Sequence, residues 1–79
     1  MTNDGARSEV LAALRRFILE NTEDVGRKFP EVARRIHYKE ETARGIRGRV
    51  TPDEAAELAE EGVTTFAVSP EVLPSEEVH

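Results

Sequence analysis

Thr51-Pro52-Asp53-Glu54-Ala55-Ala56-Glu57-Leu58-Ala59-Glu60-Glu61-Gly62 decides the reading of this chain, because the stretch carries its own start and stop signals. Thr51 is placed to cap free backbone donors, Pro52 suits the first helical position, and Glu54 can return the hydrogen bond as a capping box. The spacing predicts a helix over 52–61 with Ala55, Ala56, Leu58 and Ala59 on its packing side and a left-handed stop at Gly62. Downstream, Val63-Thr64-Thr65-Phe66-Ala67-Val68 is β-branched and aromatic, is bounded by Gly62 and Ser69-Pro70, and reads as a short C-terminal strand. A single strand must find a partner. Val72-Leu73 is one candidate, but a second subunit suits it better, so Val63, Phe66 and Val68 form the expected interface of a homodimer. Residues 74–79 offer only Val78 as an apolar side chain and read as a disordered acidic tail to a single domain spanning 1–73.

Upstream, Val10, Leu11, Leu14, Phe17 and Ile18 share one stripe of a helix over 7–21, with Arg15, Arg16 and Glu20 off it. Asn21 and Thr22 interrupt the pattern, and Glu23 and Asp24 suit the start of a short turn carrying Val25. Phe29-Pro30 is a break and a restart, since Pro30 restricts Phe29 yet is well placed to open a helix over 30–36 packed through Val32, Ala33 and Ile36. His37-Tyr38 then turns the chain. A further helix is expected over 39–47, with Ala43 and Ile46 inward and Gly48 ending it.

At 79 residues, with 38% hydrophobic residues and Phe17, Phe29, Tyr38 and Phe66 as its aromatics, the chain has room for one thin core. No cysteine is present to make a disulfide staple, and with two histidines and no aspartate-rich loop no metal staple is expected. Neither a secretory leader nor an apolar run of spanning length is read, so the expectation is a soluble, cytoplasmic protein without a membrane partner. The net charge of −5 conceals a segregation. Residues 27–50 carry eight Lys or Arg against three acids, whereas 51–79 carry eight acids and no Lys or Arg. Such asymmetry fits a basic surface for a polyanion beside an acidic interacting segment, or a basic face neutralised by the protein's own acids.

The middle of the chain, from Glu31-Val32-Ala33-Arg34-Arg35-Ile36 through His37-Tyr38-Lys39-Glu40-Glu41-Thr42 to Ala43-Arg44-Gly45-Ile46-Arg47-Gly48, resembles the helix-turn-helix of phage-repressor and Cro-like regulators. Ala33 stands where that motif packs an alanine, Thr42 where it opens its second helix, and Ile46 four positions later. His37 occupies the turn position usually held by glycine, and Gly45 falls inside the second helix. The resemblance implies a transcription regulator that binds double-stranded DNA, with Lys39, Arg44 and Arg47 nearest the bases and Lys28, Arg34, Arg35 and Arg49 on phosphates. The fold expected overall is mainly α: a small domain of four to five helices with a helix-turn-helix and a short C-terminal strand.

Catalysis finds no footing in the residues. His37 lies in an Arg-rich turn with no serine beside it, Glu57, Glu60 and Glu61 belong to a solvated helix face, and no phosphate-binding glycine loop occurs. No enzyme activity, cofactor or metal is expected. The alternative function to DNA binding is an acidic interaction module, an adaptor or inhibitor that engages a partner protein through the 52–68 helix and strand.

Overall fold

The computed structural model describes residues 4–73, which divide into two compact units, Thr22–Phe66 and residues 4–21 with 67–73. The tail expected over 74–79 lies outside the described residues. The element order is α1 (Asp4–Asn21), β1 (Glu23–Gly26), α2 (Phe29–His37), β2 (Ile46–Gly48) and α3 (Pro52–Glu60).

In the 22–66 unit, β1 and β2 pair in parallel, with Glu23 opposite Ile46, Asp24 opposite Arg47 and Gly26 opposite Gly48. Parallel strands need a crossover, and α2 supplies it, packing against both strands and against α3. Gly26 adopts φ +57°, and its N–H is held by the Asp24 carboxylate at 2.9 Å. Its carbonyl accepts the Arg49 N–H at 3.0 Å. Pro30, Val32 and Ala33 of α2 and Leu58 of α3 are buried together as the apolar centre of this unit.

Local chemistry fixes the ends of its helices. The capping box forms as read from the sequence: Glu54 N–H donates to Thr51 Oγ1 at 3.1 Å, and Thr51 N–H donates to Glu54 Oε1 at 2.9 Å. Gly62 ends α3 at φ +87°, with its N–H on the Ala59 carbonyl and the Val63 N–H on the Leu58 carbonyl, the pair of bonds of a Schellman stop. α2 ends the same way, but there the left-handed residue is Lys39, at φ 63°. Lys39 N–H donates to Ile36 and Glu40 N–H to Arg35, at 3.0 and 2.7 Å.

The other unit consists of α1 and the turn that follows Ser69. Alanine- and leucine-rich sequence favours α1, and at its end Asn21 Nδ2 donates to the Phe17 carbonyl at 2.7 Å. Arg15 Nε donates to the Val72 carbonyl at 2.6 Å, and Arg7 pairs with Glu71 at 2.6 Å. Val72 is buried here, and Leu11 and Ile18 are half-buried.

The four- to five-helix fold with a helix-turn-helix and a C-terminal strand is therefore overturned: the described residues hold three helices and a two-stranded parallel sheet. The helix expected over 39–47 does not form. Thr42, Gly45, Ile46 and Gly48 all disfavour a helix, and the Schellman stop at Lys39 turns the chain away before Ile46–Gly48 joins β1 as a strand. Val63–Val68 has strand-forming side chains but takes no regular structure, because strand propensity without a paired neighbour does not make a sheet. The turn expected around Val25 is instead β1.

Candidate functional site

The cations of the basic middle segment lie on four different pieces of the 22–66 unit. Lys28 is exposed at the start of α2, Arg34 and Arg35 lie on α2, and Lys39 is exposed at its left-handed stop. Arg44 precedes β2, Arg47 lies on it, and Arg49 follows it with its backbone N–H on Gly26. The recognition helix that was to bring Lys39, Arg44 and Arg47 to DNA bases is absent.

Most of these cations face protein oxygens. Arg34 Nε donates to both carboxylate oxygens of Glu61, at 2.8 and 3.0 Å, while its Nη2 stands 3.7 Å from Glu57. Glu41 lies between two cations, with Arg44 at 3.0 Å and Arg35 at 3.4 Å, and Arg44 extends the chain of charges to Glu23 at 2.9 Å. Arg47 Nη1 donates to both the carbonyl and the hydroxyl of Thr22, each at 2.8 Å. Of the seven residues expected on DNA, Arg34, Arg35, Arg44 and Arg47 are thus engaged with oxygens of the same unit. Separations of 21 and 27 residues in the pairs Arg44–Glu23 and Arg34–Glu61 leave no local signal in the sequence. Only Glu41–Arg44, at i,i+3, was readable there.

These contacts tune their own charges. The Arg44 hydrogen bond, and then that of Arg35, holds the Glu41 carboxyl below its ordinary value of 4.5. The Arg34 hydrogen bond does the same for Glu61, and the guanidinium groups of Arg34 and Arg44 are raised in turn. A carboxylate with a lowered folded value stabilises the fold above its unfolded value, and that contribution disappears as pH falls through the folded value. The denaturation midpoint of the unit should therefore hold steady down to about pH 4.5 and fall below it, as read by urea melts across pH 7 to 3. Glu61→Gln should flatten part of that fall, and an unchanged profile would remove Arg34–Glu61 as a contributor.

The residues expected at an interface behave differently. Phe66 is 85% exposed, Val68 is exposed and Val63 is half-buried. Val63 spends its N–H on the end of α3, whereas the backbone of residues 64–68 makes no hydrogen bond among the described residues. Val63 and Phe66 belong to the 22–66 unit and Val68 to the other. Among the described residues no group of acids and histidines is assembled that could hold a metal ion, and no helix is long and apolar enough to cross a membrane.

No curated protein and no solved structure matches the chain. Residues 1–72 match a family described as a protein of unknown function, DUF1178, with no likeness to phage repressors accompanying the match. That match covers nearly all of the 79 residues, and the chain belongs to the DUF1178 family.

Proposed function

We propose that this protein is a non-catalytic interaction module that engages a partner protein through the segment after α3, with Phe66 as its anchor. The observation that carries the reading is the state of that segment. An aromatic ring 85% exposed stands within residues 64–68, whose backbone makes no hydrogen bond among the described residues. A chain of this kind can add as a strand to the edge of a partner's sheet, the main chain giving affinity and an alternate side chain filling a pocket. The basic segment supports the same reading from the other side. Its arginines are largely spent on Glu23, Glu41, Glu57, Glu61 and Thr22, so a phosphate backbone would have to compete with contacts already made.

Affinity capture of cellular proteins on the full chain, run beside Phe66→Asp, tests the proposal. Partner recovery should fall about 30-fold in the variant, the loss of one aromatic anchor, and should survive the double change Arg44→Ala with Arg47→Ala. The opposite pattern would overturn it: salt-sensitive binding to random duplex DNA that is lost in the arginine double variant and kept in Phe66→Asp.

A further inference from the structure

α1 carries an exposed apolar stripe. Val10, Leu14 and Phe17 are 64%, 43% and 62% exposed, and Ala6 and Ala13 are exposed beside them. The adjoining face holds half-buried Leu11 and Ile18, together with Arg15, which is fixed to the Val72 carbonyl. Ala6, Val10, Ala13 and Phe17 recur at spacings of four, three and four, the seam of a paired helix, and Glu9 and Arg16 flank that seam on one side. Both flanking residues are exposed, and neither has an ion-pair partner among the described residues.

We propose that α1 docks against α1 of a second copy of this chain, antiparallel, about a two-fold axis. Such a contact is isologous, so each pairing occurs twice. In the register that sets Phe17 on the partner's Ala6, Val10 meets the partner's Ala13, and every layer matches a large side chain with a small one. The same register brings Glu9 beside the partner's Arg16, and Arg16 beside the partner's Glu9, giving two attractive pairs across the interface. A parallel arrangement would set Phe17 on the partner's Phe17 and Ala13 on the partner's Ala13, crowding one layer and hollowing the next, and would forgo the Glu9–Arg16 match. Charge and volume therefore both select the second copy and its direction. Residues 6 to 17 give about 18 Å of contact at 1.5 Å per residue, which belongs to the small, reversible class of interfaces.

Sedimentation equilibrium of the full chain, from about 10 μM to 1 mM in low salt, should show a reversible monomer–dimer equilibrium over the range small interfaces occupy. Arg16→Glu alone, or Glu9→Arg alone, makes both flanking pairs repulsive and should weaken dimerisation about 10-fold. An equimolar mixture of the two variants should restore association as a heterodimer, because each then offers what the other lacks. Both changes lie on the exposed face, and circular dichroism of each variant checks that α1 still forms. A chain that remains monomeric throughout, a dimer indifferent to Arg16→Glu, or a mixture that fails to reassociate would each overturn the proposal. Phe66→Asp should leave this equilibrium unchanged, which separates its failure from that of the partner-binding reading.

Discussion

Gly48→Ala should strongly destabilise the 22–66 unit. A Cβ at position 48 would stand 2.3 Å from the Gly26 carbonyl oxygen and 2.9 Å from the Phe29 Cβ, and the first of these is a backbone atom. That carbonyl has nowhere to retreat, since it accepts the Arg49 N–H at 3.0 Å where β1 and β2 meet. The strands would have to separate. Overpacking of this kind costs about 3 kcal/mol, against a total of about 4 to 12 kcal/mol for a chain of this length. Urea melts followed by circular dichroism should show the midpoint collapse. Gly5→Ala is the matched control, because a Cβ there meets nothing within 4 Å and alanine favours a helix. A midpoint close to the parent's in Gly48→Ala would mean that Gly26 and Gly48 are not paired.

Leu58→Ala should be nearly as damaging. Leu58 is 0% exposed and is the one large side chain that α3 buries, the rest of its apolar side being Ala55, Ala56 and Ala59. Truncating a fully enclosed leucine removes its transfer energy and leaves a cavity, for a loss of about 3 kcal/mol. In a domain this small that corresponds to a fall of about 15 °C in the thermal midpoint, and Leu58→Met should recover most of it. A fall of only a few degrees would show that α3 is not anchored by this residue.

Sequence and structure agree where the governing interactions are local. Thr51, Pro52, Glu54 and Gly62 specify both ends of α3 from neighbours within a few positions, and Pro30 fixes the start of α2 in the same way. The sheet was not legible. Glu-Asp-Val-Gly and Ile-Arg-Gly are too short and too polar to show an alternation, and their pairing is decided by α2 lying between them. Val63–Val68 failed in the opposite sense, its residues suiting a strand that no neighbouring edge completes. α1 was read as one stripe, yet Leu11 and Ile18 are half-buried while Val10, Leu14 and Phe17 are exposed. The basic block suggested a polyanion surface because a sequence displays its cations without the distant acids that the crossover brings to them. Glu23 and Glu61 reach Arg44 and Arg34 only after folding.

The crossover between β1 and β2 also imposes a timetable. A protein is made from its N-terminus, so Glu23–Gly26 is synthesised, and emerges, before Ile46–Gly48 is free to pair with it. No hairpin can shorten the wait, since the pairing is parallel and spans the whole of α2. Until Gly48 arrives, Val25 and Phe29, half covered in the finished unit, stay open to water and to any chaperone that binds nascent apolar chain. The glycine that lets the strands touch thus marks the moment at which the newborn polypeptide closes.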